Sequence, residues 1–543
     1  MKLRAALVFF ALASVCHAQS SVEQKLTLRT GGPEPAASEA KAPPTKEQLE
    51  RGRQMLELAE AQVMGLSGGM RAYGLLQIAR ASQSADRNKA VALLENALAA
   101  ANGMDDDQLD TRKRLQEQIL QAMVPLAPQR ADELLTQVRP EARGAVLRSL
   151  LGYYQKQKDL DRALEVLYRV AQESEMPYQA AQELMAGLPP ERSTDALQVF
   201  GAALASYRDH EHRGLAMGDG DFATLVIRHW NRLPKEMVLD ALSELLKQAK
   251  ASKQANNVSM ASASGAVSFN STYEYRLFQL LPVWKQLDES GAEKLAQDYQ
   301  QVQAQLGRYP QGVDSITPPE EEKKPGGSSF MVSGSGAGAP TVVSPQTAPI
   351  VMQQASKIIA DASEHARDAL AAAANIADLQ LRAATLQGIA QITVKKNGSV
   401  TREALDKALD LAPQLNPQMQ SVLLRTAADL YLKMDEPEEA KKVVERGLSL
   451  ADKMLKDDSN ADDPNQALKA YWPSAAAYAT MLRAAVTISP AWAQDLAAGI
   501  SDPDMKVLAQ IAMAGALLDV PAGAITTMSM GKKGSNISVS MER

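Results

Sequence analysis

Histidine and carboxylate crowd one short stretch of this chain. Asp209-His210-Glu211-His212 is followed by Asp219 and Asp221, with His229 farther on. Imidazole nitrogens and carboxylate oxygens at i, i+2 bind a divalent metal when a loop folds them inward. The spacing argues against a helical site, because no His-Glu-x-x-His run puts two imidazoles on one face. Gly218-Asp219-Gly220-Asp221 resembles part of a calcium loop, but the further oxygen ligands and the closing glutamate are missing. A helix end that sheds polar residues into water accounts for the same stretch, so neither a metal nor a cofactor is expected. Met528-Ser529-Met530 offers thioethers to a soft metal, yet it sits in a tail of biased composition. There is no Gly-x-Ser-x-Gly elbow and no Gly-rich phosphate loop, and the one cysteine, Cys16, lies in a segment expected to be removed. No catalytic residue is assigned.

Whatever these residues do, helices must position them. Ala90, Ala131, Ala163 and Ala196 each have a large apolar residue four places on: Leu94, Leu135, Leu167 and Phe200. Seven places on stand Ala97, Val138, Val170 and Ala203. Positions i, i+4 and i+7 share one helical stripe, so each segment offers a narrow apolar seam to a neighbour. The anchors are 41, 32 and 33 residues apart. Periods of that size mark stacked helical hairpins, in which no unit buries its own seam. The seam returns as Ala404, Ala408 and Leu411, then 36 residues later as Ala440, Val444 and Gly447, and more weakly as Ala493, Ala497 and Ile500. Asp159, Asp435 (before Pro437) and Ser489 (before Pro490) read as helix starts. The expected fold is all-α, a tetratricopeptide-like helical-hairpin solenoid in two segments joined by a disordered linker.

The run Leu150-Leu151-Gly152-Tyr153-Tyr154, followed by Ala163-Leu164, Val166-Leu167 and Val170, resembles a tetratricopeptide repeat. Thr426 to Gly447 is similar, through Ala428, Tyr431, Ala440, Val444 and Gly447. The early tryptophan and the closing proline of the family are missing or displaced, loops vary in length, and the resemblance covers about half the chain. The junctions Ile376-Ala377-Asp378 to Arg382 and Ile500-Ser501-Asp502 to Lys506 resemble each other and look like generic α-solenoid. The resemblance implies a concave face lined by first-helix residues and used for peptides or partner proteins. It places Arg148 and Lys156, and Arg425 and Lys433, in that groove, where basic residues hold a partner's carboxylates. The competing reading makes them solvated outer-face charges.

Met1-Lys2-Leu3-Arg4, an apolar stretch from Ala5 to Val15, and Cys16-His17-Ala18 follow the pattern of a secretory signal peptide cut before Gln19. A rival reading makes Cys16 the acylated residue of an envelope lipoprotein, although Val15 fits poorly before such a cysteine. Cleavage after Ala18 leaves no cysteine, which suits an exported protein of the bacterial periplasm or outer surface. Aromatics are only 4% of the 543 residues, favouring Ala/Leu helix packing over sheets. A net charge of −6 without a basic stripe argues against nucleic acid, and no second apolar run is long enough to cross a membrane.

The expected organisation is a signal peptide over 1–18 and a disordered leader over 19–44. A helical repeat domain follows over 45–306, with a mobile loop at 251–269. A disordered linker over 307–349 leads to a second helical domain over 350–519 and a flexible tail over 520–543. Linker composition, including Glu320-Glu321-Glu322-Lys323-Lys324 and Gly334-Ser335-Gly336, cannot offset an ordering entropy of about 1–2 kcal/mol per residue. The functional expectation is an exported, non-catalytic scaffold or adaptor for a protein or peptide partner. The alternatives are a metal-binding protein or enzyme centred on His210 to Asp221, and a Cys16-anchored lipoprotein.

Overall fold

The computed structural model describes residues 44–105, 108–210, 220–251, 256–262, 265–316, 331–335, 354–355, 357–459, 468–520, 529–530 and 536–537. The expected signal peptide, Cys16, nearly all of the leader, most of the linker and most of the tail lie outside the described residues, as do Glu211, His212 and Asp219. The frame is helical, built from adjacent packed helix pairs in the manner of a solenoid. Two compact units divide the chain, and they interleave in sequence. One joins Ala40–Ala127 to Val342–Arg543, and the other spans Pro128–Thr341. The expected 45–306 domain is therefore not a unit, because its first four helices belong with the C-terminal array. Those helices are α1 (Lys46–Val63), α2 (Gly68–Ser82), α3 (Arg87–Asn102) and α4 (Leu109–Met123).

The unit from Pro128 to Thr341 contains α5 (Pro128–Glu133), α6 (Pro140–Gln157), α7 (Leu160–Glu173), α8 (Tyr178–Gly187), α9 (Ser193–Asp209), α10 (Phe222–His229), α11 (Lys235–Ala251), α12 (Thr272–Leu287), α13 (Glu289–Ala296), α14 (Gln300–Arg308) and α15 (Val313–Ile316). The seams of α7 and α9 are buried as their spacing requires: Ala163, Leu167, Val170, Phe200 and Ala203 have no exposed surface. Asp159 caps α7 by accepting from the Arg162 amide at 3.3 Å. Ala131, Leu135 and Val138 are buried too, but through a six-residue helix followed by a 3-10 turn over Leu134–Gln137.

The segment expected to be mobile at 251–269 instead carries β1 (Asn256–Ser262) and much of β2 (Gly265–Ser271). The two strands pair antiparallel with Val258 opposite Phe269, and β3 (Met331–Ser335), from the expected linker, pairs antiparallel on the other side of β1. Val258, Val267 and Phe269 are buried, and the Phe269 ring lies 5.1 Å from that of Phe278 on α12. Alternate apolar residues on one sheet face are enough to seat the hairpin. The linker expected from residue 307 likewise starts inside α14 and continues into α15.

The other unit resumes with α16 (Ala366–Ala374), α17 (Leu379–Thr393), α18 (Gly398–Leu411), α19 (Pro417–Lys433), α20 (Pro437–Ser459), α21 (Pro473–Ile488), α22 (Pro490–Ala498) and α23 (Pro503–Leu517). The first helices of successive hairpins, α17, α19, α21 and α23, pack side by side. The row does not stop there: α23 packs on α1 and α2, and α2 on α4. At this junction a Cβ on Gly52 of α1 would come within 2.8 Å of Leu518 Cγ, so the helix can approach only as glycine. Tyr73 of α2 meets Tyr471 edge-on at 5.7 Å, and the Tyr471 hydroxyl donates to Gln118 Oε1 of α4 at 3.3 Å. Lys469 bridges Asp502 and Asp504, at 2.7 and 2.8 Å, tying the same turn to the start of α23. Ser489 caps α22 as its sequence predicts. Asp435 does not cap α20: its φ is +60°, and it ends α19 in a left-handed turn closed by the Glu436 amide on Tyr431 O.

Candidate ligand groove

One side-chain position recurs at the entry to the first helices. The fourth residue of six of them is Arg71 (α2), Arg112 (α4), Arg143 (α6), Arg382 (α17), Gln420 (α19) and Lys506 (α23). Each donates backwards to a carbonyl before its own helix. Arg71 reaches Leu66 O at 3.1 Å, Arg143 reaches Val138 O at 3.4 Å and Arg382 reaches Ile376 O at 2.6 Å. Arg112, Gln420 and Lys506 reach Met104, Leu415 and Ala498 carbonyls at 3.4, 2.7 and 3.1 Å. Carbonyls at the end of a helix or turn lack a partner four residues on, and a long donor from the next helix supplies one. This fixes the phase of each first helix, and hence which of its positions face outward.

In that phase the four predicted groove residues coincide. Arg148 and Lys156 are the ninth and seventeenth residues of α6, and Arg425 and Lys433 are the ninth and seventeenth of α19. All four are exposed. Each pair lies on one side of its helix, about 12 Å apart along the axis at 1.5 Å per residue. Arg148 also donates to Ser174 Oγ at 3.3 Å. The pairs belong to different units. On α19 the neighbouring Tyr431 donates to Asp406 of α18 at 3.1 Å; burial first, then that carboxylate, push the phenol well above its usual range.

The His/Asp region is engaged in structural contacts wherever it is described. The His210 ring donates through Nδ1 to Ser206 O at 2.8 Å. Asp221 caps α10, accepting from the Ala223 amide at 3.1 Å, and holds Arg276 of α12 with both oxygens, one of them at 3.0 Å. Arg276 is 3% exposed; burial opposes its charge, but Asp221 outweighs burial and holds its pKa above the ordinary value. Gln279 accepts from the same guanidinium at 2.6 Å. Around this pair Tyr178, Phe200, Tyr207 and Phe222 form an aromatic cluster with ring separations of 5.0–6.3 Å. Burial pushes the Tyr207 phenol up to about 12. His229 is buried, donates through Nε2 to Gln182 O at 3.2 Å, and has its pKa lowered, chiefly by burial.

Sequence spacing did not single out the Asp221–Arg276 pair, because its members are 55 residues apart. The fourth-position donors were visible at two junctions only, Asp378 to Arg382 and Asp502 to Lys506. The position recurs elsewhere with a different cap before it.

No family model matches the chain, and no curated protein matches it. Among solved structures the chain is similar to one described as "Circular tandem repeat protein with novel repeat topology and enhanced subunit contact surfaces". That match has 10% identity and a TM-score of 0.18, over 87% of this chain and 97% of the other. The fold assignment stands on the helix pairs themselves. Among the described residues no helix is long and apolar enough to cross a membrane.

Proposed function

We propose that the chain is an exported, non-catalytic scaffold of tetratricopeptide-like character that holds a protein or peptide along the outward positions of its first helices. One observation carries this reading. Basic residues stand exposed at the same two positions, nine and seventeen, of α6 and α19, although the helices lie in different units. Two cations about 12 Å apart on one helical side suit an extended segment bearing carboxylates, each held by a charge-assisted hydrogen bond. The basic-apolar-small order of residues 1–18 supports export, with the bacterial envelope as the place of work.

The test is capture from envelope extract by the mature protein and by Arg148→Glu, Lys156→Glu, Arg425→Glu and Lys433→Glu. Charge reversal at exposed positions leaves stability within about 0.5 kcal/mol, so circular dichroism and melting should not move while the captured set is lost. Capture that survives all four reversals would remove the groove reading. N-terminal sequencing of exported protein should begin at Gln19.

A further inference from the structure

Among the described residues no helix follows α23 and none precedes α1. The two pack on each other instead. Helix α1 lies along α23 as α18 lies along α17 and α20 along α19, and α2 then stands beside α23. One hairpin of this unit thus takes its first helix from Pro503–Leu517 and its second from Lys46–Val63. Of the eighteen residues of α1, Gly52, Met55, Leu56, Ala59 and Val63 are buried, and every other position is exposed or half-exposed. Those five fall at i, i+3, i+4, i+7 and i+11, a single stripe of the helix.

The stripe matches its seat from both sides. A Cβ on Gly52 would stand 2.8 Å from Leu518 Cγ at the end of α23, and a Cβ on Gly74 of α2 would stand 2.7 Å from Val63 Cγ2. Glycine of the helix meets leucine of the seat, and valine of the helix meets glycine of the seat. A side-chain tie, Lys89 Nζ of α3 to Glu60 Oε2 at 2.9 Å, is half-exposed on both partners and adds little. Helix α1 also starts on its own account. Thr45 and Gln48 form a capping box, the Thr45 hydroxyl accepting from the Gln48 amide at 3.2 Å and Gln48 Oε1 from the Thr45 amide at 2.8 Å. Met64-Gly65-Leu66-Ser67 joins α1 to α2, with the conformational freedom of Gly65 inside the joint.

We propose that α1 is exchangeable: α1 of one copy of this chain docks on α23 and α2 of a second copy, and the reciprocal exchange joins the two as a dimer. The seat is shaped to the Gly52–Val63 stripe, so the segment that fits it is another α1, and a second copy supplies one. Exchange keeps the contacts of the closed chain and requires only that the joint at Gly65 extend.

The experiment mixes equal amounts of isotope-labelled and unlabelled full chain at high concentration in urea below the unfolding transition. The urea is diluted out, and monomer and dimer are separated by size with reductant present. A carbodiimide then links lysines to carboxylates already in contact with them. In the dimer fraction about half of the Glu60–Lys89 links should join a labelled chain to an unlabelled one, as random pairing in a two-fold dimer requires. The Lys469–Asp502 pair, 2.7 Å apart within one segment, should link only within one label. In the monomer both links should stay within one label. An excess of a synthetic peptide of residues 44–66 should fill vacated seats and lower the dimer yield, and the same peptide with Ala59→Asp should not. Absence of a dimer, a dimer whose Glu60–Lys89 links never mix labels, equal mixing at Lys469–Asp502, or equal action of the two peptides would each overturn the exchange.

Discussion

Arg276 and His229 meet burial in opposite ways. Arg276 keeps its charge because Asp221 and Gln279 surround it, whereas His229 avoids charge by lying neutral against the Gln182 carbonyl. Asp221→Asn preserves the cap on α10 but leaves a cation 3% exposed with no counter-ion. Breaking a buried pair from one side costs about 3–5 kcal/mol. Chemical denaturation should show that loss, and adding Arg276→Met should restore most of it. For His229 the folded pKa lies below the unfolded value of about 6.5. The unfolded chain then binds the extra proton first. Stability is complete above about pH 6.5 and falls as the pH drops from there toward the folded pKa. Denaturant midpoints measured across that window should slope for wild type, and His229→Gln should remove this share of the slope. An unchanged slope would place the sensitivity elsewhere.

At the scale of the element, the helices were legible because their signals are local. The i, i+4, i+7 seam of Ala163, Leu167 and Val170 needs only eight residues of sequence, and the Asp159 and Ser489 caps need four. Asp435 was misread because a short polar residue before Pro437 serves a left-handed helix end as well as a cap. The β1–β2 hairpin was illegible for another reason. Its Ser/Ala/Asn composition reads as loop, and among the described side chains its buried face is Val258, Val267 and Phe269, the last against Tyr275 and Phe278 of α12. The exposure of Arg148, Lys156, Arg425 and Lys433 followed from the repeat pattern, but their helices' phase is set by the backward donors at position four. Arg382→Met should therefore cost about 1–2 kcal/mol by stranding the Ile376 carbonyl. The same change at exposed Arg425 should cost under about 0.5 kcal/mol. Equal effects at the two positions would mean that the backward bond does not hold the helix.

For the whole molecule, the feature hidden from sequence is the partnership of chain segments hundreds of residues apart. No period or composition links Gly52 to Leu518, or Tyr73 to Tyr471, yet those contacts make α1 to α4 the continuation of the row that ends at α23. A seam that one hairpin cannot bury alone must find a neighbour. Here the neighbour of the last helices is the first. This pairing also sets Tyr471 of one segment against Tyr73 and Arg114 of the other. Co-expression of three separate pieces, 1–127, 128–341 and 342–543, tests the claim most directly. Pieces 1–127 and 342–543 should co-purify in a one-to-one complex with a single cooperative melt, weakened by Gly52→Leu. Recovery of 1–127 with 128–341 alone, or of 342–543 folded and indifferent to 1–127, would contradict it.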